Sequence, residues 1–207
     1  MRKIKKVVVI GLGYVGLPTL VAIYKSGLYQ VIGFDIDAKK VSQIKFGICP
    51  INDIEVENFI KRKLLVVSND EKTLVNSDVF IVCVPTPIID AFNPDYRFII
   101  SASQTVAKHL ENGCHFVLES TVNPGTCEEI VLPILEKGSN LKAGRDFNIA
   151  HCPERINPGD KKWNIYNINR NIGSINKKLN KIIANFYCSF ISYICSYDYN
   201  VNRAYRH

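Results

Sequence analysis

Apolar runs of strand length alternate along this chain with amphipathic stretches of helix length. KKVVVIGLG is a continuous β-branched run, and residues 14–27 then place apolar side chains at helical spacing. QVIGFDID predicts a second strand and AKKVSQIKFG a short helix. IEVENFIKRK leads into a strand at LLVVS, and DVFIVCVPTP predicts a strand stopped by two prolines. FIISASQTVAKHL reads as a helix, HFVLEST as a strand, GTCEEIVLPILEKG as a helix and DFNIAHCPE as a strand. These strands are continuously apolar rather than alternating, so the sheet must be covered on both faces. With helices between the strands, the pattern predicts an α/β fold: a doubly wound parallel sheet in three layers, α/β/α.

Beyond about residue 160 the pattern changes, with Asn, Lys, Ile and Tyr dominant and acids nearly absent. INKKLNKIIANFYCSFI still predicts a helix, with Ile175, Leu179, Ile182, Ile183 and Phe186 near one face. SYDYNVNRAYRH has no clear period and reads either as a last strand with a frayed end or as sequence from a disrupted reading frame. The expected organisation is one domain over residues 1–190 and an atypical tail over 191–207.

Composition narrows the function classes. Of the 207 residues 47% are hydrophobic, enough to bury a core. The formal charge of +7 invites a nucleic-acid partner. However, residues 1–159 carry 18 Lys/Arg against 17 Asp/Glu, while 160–207 carry 8 against 2. The excess belongs to the tail, and the domain lacks the basic footprint that nucleic acid requires. The seven cysteines form no CxxC pair and sit in apolar segments such as IVCVP and IAHCPE. They read as buried reduced thiols, with neither a disulfide framework nor a metal site expected. MRKIKKVVVIGLG has a basic start before an apolar run, but glycine interrupts the run and no cleavage site follows. No stretch approaches the ~18 apolar residues of a membrane span. The expectation is a soluble, cytoplasmic chain.

GLGYVG, residues 11–16, follows a predicted strand and opens a predicted helix. Gly11 permits the tight turn, Gly13 lets backbone approach a diphosphate, and Gly16 lets the helix pack close to the strand. The helix start offers N–H groups and a positive dipole end to phosphates. Asp35 stands 19 residues past Gly16, where a carboxylate bonds adenosine ribose hydroxyls. The spacing predicts a Rossmann-like dinucleotide site. Asp35 repels a 2′-phosphate and Ile36 follows it, which favours NAD over NADP. Lys39 and Lys40 are either a solvated helix start or a phosphate contact.

Three more strand ends carry polar groups. Ligands of doubly wound sheets sit beyond the carboxyl ends of the strands. Thr86 in VPTP therefore either faces the crevice or belongs to a strand stopped by Pro85 and Pro87. Glu119, Ser120 and Thr121 in LEST are expected to face the same crevice; alternatively Thr121 or Asn123 caps the next helix. Glu154 in HCPERINPGD is either a general base toward water or a structural partner of Arg155.

Taken in order, VIGLGYVGLP, GFDID, VPTP, LESTVNPGT and CPERINPGDK resemble the UDP-glucose/GDP-mannose dehydrogenase family in its N-terminal NAD-binding domain, over about residues 4–174. PERINPGDK followed by NI looks most like the branch that oxidises UDP-N-acetylhexosamines for surface polysaccharides such as Vi-antigen and O-antigen. The resemblance implies oxidation of a UDP-sugar C6 hydroxyl to a carboxylate by two hydride transfers to NAD, through a cysteine thiohemiacetal and thioester. It implies that Gly11, Gly13, Tyr14, Val15 and Gly16 form the dinucleotide turn and that Asp35 and Lys40 hold the adenosine end. Thr86 and Thr121 would line the nicotinamide side. Thr121 would also orient the water, and Glu154 would assist hydrolysis.

The departures from that family are equally specific. Its nucleophile motif, GxGGxCxPKD, does not occur in this sequence, and neither does its AExxKxxxN helix pattern. Cys152 stands where members usually carry Ser and is not expected to be a nucleophile. The expectation is the first domain of a three-part enzyme, without central helical and UDP-binding domains. Such a chain would be a monomer or a complemented fragment, unable to turn over a UDP-sugar alone. Two other classes remain open, a nonfunctional remnant and an NAD-sensing or docking module. A 6-phosphogluconate-type or short-chain dehydrogenase explains GLGYVG but not VPTP, LEST and PERINPG together.

Overall fold

The computed structural model of the chain describes residues 3–90, 93–154, 165, 168–175, 177–191 and 194–196. Its elements follow the alternation of apolar runs closely. Strand β1 (Lys6–Ile10) leads to helix α1 (Gly16–Ser26), β2 (Gln30–Phe34), α2 (Ala38–Lys45), α3 (Ile54–Lys61) and the short β3 (Val67–Ser68). After a 3-10 turn come β4 (Val79–Val82), a hairpin of β5 (Ile88–Asp90) and β6 (Asn93–Pro94), and α4 (Arg97–Ala107). The chain continues with β7 (His115–Leu118), a π-helical turn (Cys127–Val131) running into α5 (Leu132–Ser139), and β8 (Asn148–His151). Last come β9 (Arg170–Ser174), α6 (Lys177–Cys188) and β10 (Ile194–Ser196).

The main sheet has the order β10-β9-β8-β7-β4-β1-β2-β3. From β3 to β8 every pairing is parallel. The chain walks one way from β1 through β2 to β3, then returns to the centre and walks the other way from β4 through β7 to β8. The direction switches between β1 and β4, and a crevice opens at their carboxyl ends.

Both faces of the sheet are buried, which explains the unbroken apolar strands. Val7 and Val9 of β1, Ile81 of β4 and Val117 of β7 join one core with Leu17 and Leu20 of α1, Val56 of α3 and Ile183 of α6. Val8, Ile10, Phe80 and Phe116 join the other core with Ile99 and Val106 of α4 and Leu135 of α5. Each such side chain contributes on the order of 1.5–3 kcal/mol of burial. A polar replacement on either face would therefore be costly.

The small strands β5, β6 and β10 and the five-residue β9 have no counterpart in the apolar pattern. β9 runs antiparallel to β8, and β10 runs parallel to β9. β9 is RNIGS, with Arg170, Asn171 and Ser174 all buried, so its polar side chains hide it from hydropathy. Helix α6 forms as predicted, burying Leu179, Ile183 and Phe186, while Ile182 is half-buried and Ile175 stays outside the helix, 37% exposed. Arg155 and the stretch RINPGDK lie outside the described residues, as does the tail from Tyr197 onward. Among the described residues no helix is long and apolar enough to cross a membrane, and no cluster of His, Cys, Asp and Glu could hold a metal ion.

Candidate functional site

A crevice of about 850 Å³ lies beyond the tips of β1, β2 and β4. The Gly11–Val15 loop, Asp35, Lys40 and Thr86 line it, with α4 forming a further wall. Each glycine of the loop has a separate geometric reason. Gly11 has φ +92, and a Cβ there would lie 2.8 Å from the Cys83 carbonyl oxygen. A Cβ on Gly16 would lie 1.8 Å from the Gly11 carbonyl oxygen, so only glycine lets α1 start this close to β1. A Cβ on Gly13 would meet nothing within 4 Å. That position opens into space, as a backbone that receives a ligand must. Tyr14 is 53% exposed beside it, and Val15 stands at the N-cap of α1.

Asp35, directly after β2, is 6% exposed and fully engaged. Its Oδ2 accepts the Leu12 N–H at 2.8 Å and the Lys40 ammonium at 2.7 Å, while Oδ1 accepts the Asp37 N–H at 2.9 Å. The carboxylate thus ties the glycine loop to the start of α2. Asp37 caps α2, accepting the N–H groups of Lys39 and Lys40.

The tips of β4 and β7 are joined by two hydroxyls. Ser120 Oγ donates to the Val84 carbonyl at 2.7 Å, and Thr86 Oγ1 donates to the Thr121 carbonyl at 2.8 Å. Thr121 is exposed and does not line the crevice. Its alternative role as a helix cap is not realised, because the N-cap position of the π turn is Thr126, with no side-chain cap. Glu154 follows β8, half-buried, with its N–H on the Glu119 carbonyl at 3.2 Å. It too stands apart from the crevice lining. With strands about 4.8 Å apart, Thr121 and Glu154 continue the row of strand tips away from β4.

Glu119 does not face the crevice, contrary to the expectation for LEST. It is wholly buried and points into the core beneath α1 and α6. Oε2 lies 3.0 Å from Arg170 Nη1 in an ion pair whose two side chains are both 0% exposed. Oε2 also accepts the Thr19 hydroxyl at 3.2 Å and the Cys83 thiol at 3.6 Å, and Oε1 accepts the Tyr187 hydroxyl at 2.7 Å. The physical reason is register: Glu119 shares a face with Val117, and that face is covered by α1 and α6. Burial alone would lower the Arg170 pKa; the Glu119 carboxylate more than offsets this and keeps the guanidinium charged. Burial, with Glu119 beside it, pushes the Cys83 thiol well up, and burial pushes Cys152 up to about 12. Neither thiol is a nucleophile in that state.

Arg170 and Tyr187 carry no sequence motif. Tyr187 is legible only as the position four after Ile183 on the buried face of α6. Arg170 is legible only once its acid is known to be buried. The α4 wall, including Arg97 and Ser101, likewise lies in no motif.

The model of the UDP-glucose/GDP-mannose dehydrogenase family, NAD-binding domain, matches residues 5–191. Protein CapL of Staphylococcus aureus is 37% identical over 188 residues, 91% of this chain and 44% of that protein. The UDP-N-acetyl-D-glucosamine 6-dehydrogenase of Salmonella typhi is 37% identical over 187 residues, 90% of this chain and 44% of the enzyme. The solved structure of a UDP-D-ManNAc dehydrogenase from Pyrococcus horikoshii superposes with a TM-score of 0.87 at 34% identity, over 95% of this chain and 48% of that one. The chain therefore spans about half the length of the relatives it matches.

Proposed function

This chain belongs to the UDP-glucose/GDP-mannose dehydrogenase family, as its NAD-binding domain, and from that premise we propose that the crevice binds NAD with its diphosphate over the Gly11–Gly16 loop. The observation that carries this reading is the open space over Gly13 beside a buried acid, Asp35, at the switch point of the sheet. When bound, NAD supplies the hydride acceptor. Asp35 receives the adenosine ribose hydroxyls, with Lys40 releasing it or sharing it. The same carboxylate disfavours the 2′-phosphate of NADP. Thr86, held in place by its bond to the Thr121 carbonyl, flanks the nicotinamide side. Thr121 orients a water, and Glu154, one strand further, takes its proton during hydrolysis.

The parent activity in this reading is oxidation of a UDP-N-acetylhexosamine to its uronate, in the cytoplasmic synthesis of surface polysaccharide. The sequence holds no cysteine in a GxGGxCxPKD motif and no AExxKxxxN helix. Residues 1–190 act as the cofactor domain, whose sheet also takes in β10 (Ile194–Ser196). The covalent half of the reaction lies elsewhere, and this polypeptide alone does not complete a turnover. Incubating the chain with NAD and UDP-N-acetylglucosamine and following NADH fluorescence tests this. No NADH is expected; steady production would show that these residues suffice and would overturn the division of labour.

A further inference from the structure

The cofactor reading leaves the α4 wall of the crevice without a role. Arg97 is the first residue of α4 and lines the crevice with Phe98, Ser101 and Thr105. A cation in the first turn of a helix faces the positive end of its dipole, where acids are favoured. Arg97 departs from that preference. The first turns of α1, α2 and α4 hold no acid, and α2 and α4 place Lys39, Lys40 and Arg97 there. Away from the crevice the starts are mixed: α3 has Glu55 and Glu57, α6 has Lys177 and Lys178.

Arg97 is also held in place. Its side chain is 83% exposed, yet the Asp95 carboxylate that grips it is 4% exposed. Nε donates to Asp95 Oδ1 at 2.9 Å and Oδ2 at 3.0 Å, and Nη2 donates to Oδ2 at 2.7 Å. Asp95 Oδ1 also accepts the Arg97 backbone N–H at 3.0 Å. The Asp95 N–H in turn is bonded to the Pro87 carbonyl at 2.7 Å, which fixes the whole fork to the VPTP segment after β4. The grip engages Nε and Nη2 and leaves Nη1 for a ligand. A guanidinium fixed in advance loses little conformational freedom on binding an anion.

We propose that Arg97 is a binding residue for the diphosphate of the dinucleotide, contributed by the α4 wall. The proposal rests on the NAD reading above and adds a residue to it. The test is calorimetric titration of the full chain, as wild type, Arg97→Gln and Arg97→Lys, with NAD, ADP and adenosine. Arg97→Gln is expected to weaken NAD and ADP about three- to tenfold, the range for a partly exposed charged contact. It should leave adenosine unchanged and flatten the salt dependence of ADP binding. Arg97→Lys keeps the charge without the fork and should fall between the two. The melting temperature should fall only modestly in both variants, since Arg97 is largely exposed and Asp95 keeps the backbone N–H at position 97. Unchanged NAD and ADP affinity in Arg97→Gln would overturn the inference, as would an equal loss for adenosine. A wild-type chain that binds no NAD would defeat the cofactor reading itself; normal wild-type binding with an indifferent Arg97→Gln defeats only this inference.

Discussion

Glu119 shows how far a single residue's environment decides its role. The carboxylate ends an apolar strand, and its function is to neutralise Arg170 inside the core while gathering Thr19, Cys83 and Tyr187 around it. It thereby joins α1, β4, β7, β9 and α6 directly beneath the glycine loop. Removing one partner strands the other charge, so Arg170→Met should cost about 3–5 kcal/mol. The double variant Glu119→Leu with Arg170→Met should cost clearly less, because both charges leave together. Denaturant unfolding of the two measures this; equal losses would show that the pair is not the source of the stability. Asp35 belongs to the same scale. Asp35→Ala should weaken NAD about tenfold or more, the value of lost charge-assisted bonds, while narrowing its preference over NADP. Side-by-side titration of both cofactors reads it, and an unchanged preference would remove Asp35 from the ribose.

Among the elements, the loop between β1 and α1 separates packing from binding. Gly16→Ala drives a methyl into the Gly11 carbonyl and should destabilise the fold by about 1–3 kcal/mol. Gly13→Ala meets no atom of the protein, so stability should hold while NAD affinity falls. A melt and a titration on each variant suffice; a Gly13→Ala chain that binds NAD normally would show that the open space is not the diphosphate's. The strands and helices that carry this loop were legible in the sequence because continuous apolar runs and 3.6-residue spacing are local signals. Asp35 and the glycines were legible because spacing alone sets their geometry. Arg170, Tyr187 and Arg97 were not, since each gains its meaning from a partner distant in sequence or from a wall of the crevice. The same limit misplaced Glu119: strand position gave its height in the sheet, but the covering elements decided which environment it met.

For the whole molecule, pH exposes the buried histidines. Burial lowers His115 and His151 from 6.5 to about 4. Both are therefore neutral in the folded chain, whereas the unfolded chain binds their protons as pH drops below 6.5. Stability from these groups is present above pH 6.5 and lost as pH falls toward 4, by up to about 1.4 kcal/mol per pH unit for each histidine. Melts across that window should show the decline, and His151→Gln, if it folds, should make it shallower. A flat profile would mean that these rings take up protons in the folded chain as readily as in the unfolded one. The antiparallel β9 and the helix α6 also place residues past 160 in the core, so the strands that carry the crevice and the C-terminal elements share one packed unit. The measurement that bears most directly on that unit is calorimetric titration of the 207-residue chain with NAD, and with NADP in parallel. Saturable binding of NAD, with NADP much weaker, is the predicted result. Equal binding of the two would contradict the role of Asp35, and binding of neither would contradict the account of the crevice as a dinucleotide site.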